Sequence, residues 1–156
     1  MIKEESYSPF SLEEQTALVE QVRTFINEME GLPSEVLLDD FNESLPSICL
    51  RTKNGGRKGR YNVDGGYYAD FPYAIYVKIN PAETDSRLTA IKLLNKIAIY
   101  FEQKTKEKDL PILNEQDIAL SLEMTSFPYL SEEESDNKEI YHAICNLEYR
   151  HKSIHE

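Results

Sequence analysis

A short run at 55–59, Gly-Gly-Arg-Lys-Gly, is the first place where this sequence could carry chemistry. Glycine-rich loops hold phosphate when a helix begins directly after them, because the helix N-terminus supplies amide groups and a favourable dipole. Here the run leads into Tyr61 to Val63, which is typical of a strand, and the glycine spacing fits neither nucleotide-binding motif. The sequence therefore predicts no nucleotide site, and we expect no cofactor.

The histidines and cysteines are not spaced for a metal site. His142 and Cys145 are three residues apart in a strand-like segment, and an odd separation places two side chains on opposite faces of a strand. His151 and His155 are four apart, but nothing upstream supplies the remaining ligands. We interpret Cys145 as a core residue, His142 as a surface residue and residues 151–156 as a frayed tail.

The sequence also gives little support for covalent or acid–base catalysis. The sequence contains no Gly-x-Ser-x-Gly turn that would present a nucleophilic serine. Its 28 Asp and Glu residues offer many candidate acid–base pairs, but this abundance indicates that most of them are solvated surface charges. We therefore expect a protein that has no catalytic residues and is not an enzyme.

Composition predicts one soluble globular domain over residues 1–156. The 17 Lys and Arg against 28 Asp and Glu give a net charge of −11, and 40% of the residues are hydrophobic. Such an acidic total argues against a protein that coats nucleic acid or anionic membranes through its general surface. Two cysteines, no long apolar stretch and no secretory signal favour an intracellular protein that does not enter a membrane.

Two long helices are predicted. Ser11 and Glu14 have the spacing of a capping box, and apolar residues then recur three and four apart as far as Met29. A second helix is expected to begin at Thr84 or Asp85. Its core-facing stripe is predicted to contain Leu88, Ile91, Leu94, Ile97, Ala98 and Phe101.

Alternating apolar and polar residues predict four to five strands. The turn signal Asn54-Gly55-Gly56 between 47–52 and a return strand at 60–63 predicts a β-hairpin. The longest predicted strand is Tyr67 to Ile79. Two further strands, at 118–125 and 141–150, are expected to flank a solvated acidic loop at 126–139.

The order of these elements predicts the fold class. Helix, hairpin, strand, helix, strand and strand do not alternate as a doubly wound parallel sheet requires. We expect an α+β fold in which two long helices pack on one face of a mostly antiparallel, or mixed, sheet.

Five cations with no acid among them occupy the predicted hairpin, in a chain that is acidic nearly everywhere else. One interpretation is that these charges keep the hairpin tip soluble and protect the edge of the sheet, and the sequence does not exclude it. The functional alternative is that a projecting basic finger contacts DNA or the acidic surface of another protein. These cations are Arg51, Lys53, Arg57, Lys58 and Arg60.

Tyrosines and an acidic run supply the other candidate contact residues. The sequence has ten Tyr and no Trp, and tyrosine is favoured at protein interfaces. We place Tyr67, Tyr68 and Tyr76 at the open end of the sheet or on its uncovered face. Glu132, Glu133 and Glu134 form an acidic patch in the loop that follows the second helix and a strand.

Three segments resemble the family of minor capsid or tail terminator proteins from tailed phages and prophages of Gram-positive bacteria. They are YNVDGGYYADFPYAIYVKI at 61–79, DSRLTAI at 85–91, and LEMTSFPYLS at 122–131, which is followed by an acidic loop and YHAICNLEY at 141–149. Together they cover the C-terminal two-thirds of the chain in the expected order.

This resemblance implies a structural virion component, assembled in the bacterial cytoplasm, at the junction of head and tail. Proteins of this kind resemble small α+β subunits that form a hexameric ring, end the polymerisation of the tail tube and offer a surface to head completion proteins. The family has no catalytic residues to carry over. Contacts in a ring join unlike patches, which the acidic run and the cations around Arg57 are suited to supply.

Two alternatives keep nucleic acid as a partner. The cations could face the lumen of a ring through which DNA passes, or the chain could be a small nucleic-acid-binding or regulatory protein that uses the basic hairpin at 51–60. The net charge of −11 disfavours the second alternative.

Overall fold

The computed structural model describes residues 10–53, 56–59, 65–133 and 137–153. Over these residues the chain forms two helices and seven strands, which confirms the predicted α+β class. Their bounds are α1 (Leu12–Asn27), β1 (Val36–Leu38), β2 (Ser47–Thr52), β3 (Arg57–Lys58), β4 (Tyr67–Ile79), α2 (Ser86–Glu107), β5 (Asp117–Met124), β6 (Tyr129–Glu133) and β7 (Glu139–His151). No helix within the described ranges is long and apolar enough to cross a membrane.

Two strands of 13 residues form the centre of the sheet. β4 and β7 pair antiparallel over their whole length, from Tyr67 opposite His151 to Ile79 opposite Glu139. β2 and then β3 pair with the outer side of β4, while β5 and then β6 pair with the outer side of β7. β1 adds a parallel strand outside β2, so the sheet is mixed.

One apolar core contains buried residues of both helices and of the sheet. Side chains alternate between the two faces of a strand, and in β4 the odd-numbered residues are buried while Tyr68 and Asp70 are exposed. The buried residues of α1 and α2 belong to the same apolar cluster as Phe71, Tyr73 and Ile75. Both helices thus contribute to the core on the odd-numbered side of β4.

The predicted helix starts agree with the structure. The Ser11 hydroxyl accepts a hydrogen bond from the Glu14 amide at 3.1 Å, and the Glu14 carboxylate accepts one from the Ser11 amide at 2.9 Å. α2 begins directly after Asp85. The predicted stripe is wrong at Leu88, which is 50% exposed, because the buried side of α2 is rotated towards Ala90, Leu93, Leu94, Ile97 and Phe101.

The predicted hairpin at 47–63 is wrong in its pairing. β3 does not fold back on β2 but pairs with β4, where Arg57 lies opposite Asp70. β2 ends with Thr52 opposite Tyr73, and β3 continues along the same edge of β4 with Arg57 opposite Asp70. The segment between β2 and β3 is therefore two residues longer than the part of β4 that it passes. The interruption falls at Pro72, which has no N–H to donate to a neighbouring strand. The expected return strand at 60–63 lies outside the described residues.

Two further segments differ from prediction. Residues 126–139 contain β6, because Tyr129 and Leu130 extend the edge along the part of β7 that β5 does not reach. Residues 151–153 are not frayed: His151 ends β7, and the Lys152 amide donates to the Gln116 carbonyl at 2.7 Å. The last three residues of the predicted tail, 154–156, are outside the described ranges.

Candidate functional site

A row of side chains crosses the sheet on the even-numbered side of β4. Tyr76, His142 and Tyr129 occupy paired positions on β4, β7 and β6. The Tyr76 ring stacks on the His142 imidazole with centroids 5.0 Å apart, and the Tyr129 ring is 4.1 Å from the same imidazole. The Arg51 guanidinium, on β2, lies 4.8 Å from the Tyr76 centroid and 5.5 Å from that of Phe41. We call these five residues the cation–aromatic row.

Stacking and cation–π attraction fix the row. A guanidinium over an aromatic face is attracted by the ring quadrupole, and the planar group packs flat against the ring. Arg51 also interacts with the buried Cys49 thiol, whose pKa is raised by burial to about 11 although the Arg51 charge opposes this rise. Cys49 is therefore protonated at neutral pH. The position of Arg51 is set by its interactions with this thiol and with the rings of Phe41 and Tyr76.

His142 lies in the middle of the row and is 7% exposed. Its predicted place on the surface is wrong, because Tyr76 and Tyr129 cover the imidazole from two neighbouring strands. Nδ1 is buried without a hydrogen-bond partner in the described part of the chain. Burial, with a smaller contribution from the Lys53 charge, lowers the pKa of His142. The row therefore carries a neutral imidazole at pH 7.

A cleft adjoins the Arg51 end of the row. It has a volume of about 430 Å³ and lies between the segment after β1 and the sheet. The Lys78 ammonium is 5.8 Å from the Phe41 centroid, so two cations flank this ring. The cleft is lined by Asp40, Phe41, Asn42, Glu43, Leu45, Arg51, Lys78 and Lys138.

The structure separates the predicted basic block. Arg51 belongs to the row, and Lys53 is near enough to His142 to lower its pKa. Lys58 lies on the helix side instead, where its ammonium is 2.7 Å from the Glu14 carboxylate. Arg57 belongs to β3 by its backbone, and Arg60 is outside the described residues. The prediction that Lys58 belongs to a projecting basic finger is therefore wrong, because its side chain is only 13% exposed.

The three tyrosines also separate. Tyr76 belongs to the row and Tyr68 is 56% exposed on the same face of β4. The prediction that Tyr67 is a contact residue on the surface is wrong, because this residue is only 5% exposed. Its ring belongs to the apolar core and stacks on the His151 imidazole, with centroids 4.6 Å apart. Its position follows from the alternation of β4, in which Tyr67 and Tyr68 point to opposite faces.

An exposed apolar segment, which was not predicted from the sequence, precedes the acidic run. Phe127 is 90% exposed, and Tyr129 and Leu130 are each 44% exposed. The backbone of Glu132 and Glu133 belongs to β6, while Glu134 is outside the described ranges. The available signal was the sequence Phe-Pro-Tyr-Leu at 127–130, which Ser131 separates from a run of acids.

His151 and Asp117 form a His–carboxylate pair elsewhere in the sheet. The imidazole Nδ1 is 2.6 Å from the Asp117 carboxylate, which also accepts a hydrogen bond from Asn114 at 2.8 Å. This pair joins the end of β7 to the start of β5. Among the residues that the structure describes, no group of three or more His, Cys, Asp and Glu is placed to hold a metal ion.

No protein-family model and no curated protein sequence matches the chain. The cation–aromatic row and its cleft are the candidate functional site of the chain.

Proposed function

We propose that the chain is a structural virion protein of a tailed phage or prophage, located at the head–tail junction. There it forms a ring, ends the polymerisation of the tail tube and offers a surface to head completion proteins, without catalysis. The observation that carries the proposal is the cation–aromatic row on the open face of the sheet. Tyrosine and arginine are the residues that most often anchor protein–protein contacts.

The fold supports this role. The buried residues of both helices share one core with the odd-numbered side of β4, which leaves the even-numbered side available for contacts. The α+β class of the chain is also the class that the resemblance at 61–79, 85–91, 122–131 and 141–149 implies. Arg51 and Tyr76 then provide the contact surface that a ring subunit requires.

The proposed ring is a hexamer held by contacts between unlike patches. One patch is acidic and follows Phe127, with Glu132 to Glu134 in its sequence. The other is basic and is provided by Arg51 and Lys53, which lie beside Tyr76 and near His142 respectively. Opposite charges at the two patches favour head-to-tail association of a subunit whose total charge is −11.

Deletion of the gene from the prophage that carries it tests this function. Electron microscopy of the induced lysate is expected to show heads separated from tails, and tails of irregular and excessive length. Expression of the wild-type chain from a plasmid is expected to restore joined particles of uniform tail length. Normal virions from the deletion strain would contradict the proposal.

Nucleic-acid binding is the second candidate, in the ring lumen or as a separate activity. It is favoured by Arg51 beside the Tyr76 ring and Lys78 beside the Phe41 ring, because cations and aromatic rings together bind phosphates and bases. Binding through phosphates falls steeply with salt. Retention of DNA by the purified protein at low salt, lost at high salt, would support this candidate, and no retention at low salt removes it.

A further inference from the structure

A helix side chain binds the outer strand at each end of the sheet. Along the strand order β1-β2-β4-β7-β5, the first and last strands are β1 and β5. A strand at the edge of a sheet presents main-chain N–H and C=O groups to which a strand of another molecule can add. The partners of these groups in the folded chain therefore determine whether the sheet can grow.

At the β1 edge, the side-chain amide of Asn27 takes the place of a neighbouring strand. Asn27 is the last residue of α1, and its Oδ1 accepts a hydrogen bond from the Val36 amide at 2.8 Å. Its Nδ2 donates to the Val36 carbonyl at 3.3 Å, and the Arg23 guanidinium donates to the same carbonyl at 3.3 Å. Leu38 points the same way as Val36, and its carbonyl accepts from the Asp40 amide at 2.8 Å. Both outer main-chain groups of Val36 are thus occupied from within the chain.

At the β5 edge, the hydroxyl of Thr105 does the same. Thr105 lies in the last turn of α2, and its Oγ1 accepts a hydrogen bond from the Leu122 amide at 3.1 Å and donates to the Leu122 carbonyl at 3.2 Å. Nearer the start of β5, Ile112 forms an antiparallel bridge with Ile118. A bulge interrupts the regular pairing of β5 between these two points. Bulges and local contacts of this kind make an edge a poor template for another strand.

β5 has the side chains of an edge to which other strands add. Ile118 and Leu120 are 38% and 36% exposed on it, and Ile112 beside it is 86% exposed. Apolar edge strands are the places where the sheets of separate molecules join. The net charge of −11 repels copies of the chain from each other, but it does not occupy the main-chain groups of the edge.

We propose that Asn27 and Thr105 are edge caps, which occupy the main-chain groups of Val36 and Leu122 and so prevent copies of the chain from joining through β1 and β5. This inference goes beyond the proposed function and does not depend on it. Its consequence for a ring is that the contacts between subunits would use side-chain surfaces rather than an extension of the sheet at these two strands.

Sedimentation velocity of Thr105→Val and wild type over a wide range of concentration provides the test. Valine keeps the shape of threonine but loses the hydroxyl, so the Leu122 amide and carbonyl become available to a second copy. The variant is expected to associate about tenfold more strongly than wild type, which corresponds to two main-chain hydrogen bonds to an added strand. Thr105→Ser keeps the hydroxyl and should behave as wild type. Thr89→Val is the matched control, because the Thr89 hydroxyl donates only within its own helix, to the Asp85 carbonyl at 2.9 Å.

Hydrogen exchange of the Leu122 amide, measured by NMR, shows whether β5 is the place of contact. In dilute Thr105→Val this amide is expected to exchange faster than in wild type, and to become protected again as the concentration rises and a second copy covers it. Ile97→Val, which weakens the buried side of α2 but keeps the cap, distinguishes an opened edge from a general loss of stability.

A folded Thr105→Val protein that associates no more than wild type would overturn the inference, as would equal association of Ile97→Val. Asn27→Leu repeats the test at the β1 edge, with the Val36 amide as reporter, and decides the matter if Thr105→Val does not fold. Because every comparison is made with wild type at the same concentration, the result is independent of whether the wild-type chain forms a ring.

Discussion

Tyr76 and His142 stack on each other across the two central strands, with ring centroids 5.0 Å apart and planes inclined by 16°. The pair is in register between β4 and β7, and it connects Arg51 on one side to Tyr129 on the other. Four strands thus share one continuous contact on the even-numbered side of β4. This contact gives the open face a defined shape before any partner binds.

His142 makes that face sensitive to pH. Burial and the nearby Lys53 lower its pKa below 6.5, so the unfolded chain binds this proton more readily than the folded one. The contribution of His142 to stability is therefore present above 6.5 and is lost as the pH falls below it. We expect the urea midpoint to fall less steeply in His142→Gln than in wild type over that range. An NMR titration that places the pKa of His142 at or above 6.5 would contradict this.

The Arg87–Glu139 ion pair joins α2 to β7. Two hydrogen bonds of 2.8 Å connect the guanidinium to the carboxylate, which is nearly buried. Arg87→Ala leaves this carboxylate without its charged partner and is expected to lower the free energy of unfolding by about 1–3 kcal/mol. Lys104→Ala is the matched control, because its partner Asp109 is exposed and little change is expected. Equal effects of the two substitutions in urea denaturation would count against the role of Glu139.

The stability contributed by this pair depends on pH in the same direction as that of His142, since both contributions are lost in acid. The hydrogen bonds from Arg87 lower the pKa of Glu139 below 4.5, although its burial opposes this. Its stabilising contribution is present at neutral pH and is lost as the pH falls through the folded-state pKa. The stability difference between wild type and Glu139→Gln should therefore shrink in acid. A difference that does not change with pH would contradict the assignment.

Lys58 is expected to act on stability rather than on assembly. Burial disfavours the charge on Glu14, but the Lys58 ammonium and the Ser11 amide together lower the pKa of that carboxyl. Lys58→Glu places two carboxylates in contact and is expected to cost about 1–2 kcal/mol in thermal or urea denaturation. Lys92→Glu, on the exposed side of α2, is the charge-matched control. A Lys58→Glu protein as stable as the control would show that the ion pair contributes little.

Both cysteines are expected to be unreactive in the folded protein. Cys49 and Cys145 are completely buried, and burial raises the pKa of each thiol, to about 11 for Cys49. Because the thiolate is the reactive form, a thiol-specific reagent should modify neither residue until the protein unfolds. Rapid modification of either cysteine under native conditions, measured by mass spectrometry, would show that the sheet opens at that strand.

The sequence predicted the elements that local pattern determines. The capping box at Ser11 and Glu14 marks the start of α1 because its residues are three apart and satisfy each other's amides. β4 was predicted to the residue, since its alternation extends over 13 positions. These features depend on neighbours in sequence, so one chain contains all the information that identifies them.

Features set by long-range pairing were missed. The turn signal at 54–56 predicts a hairpin, but β3 pairs with β4, a strand that comes after this signal in the sequence. His142 was placed on the surface because nothing local shows that Tyr76 and Tyr129 lie on both sides of it. The basic block was read as one unit, although strand alternation and the contact with Glu14 direct Lys58 to the helix side. Contact sites of this kind emerge only when strands are brought into register.

The most direct test of the proposed role is the length of tail tubes assembled from purified tube protein of the same prophage. Polymerisation in the presence of the chain, measured by negative-stain electron microscopy, is expected to give shorter tubes that carry a ring at one end only. The chain added after unfolding serves as control and should leave the lengths unchanged. Tubes of equal length with and without the folded chain, and without rings at their ends, would contradict the account.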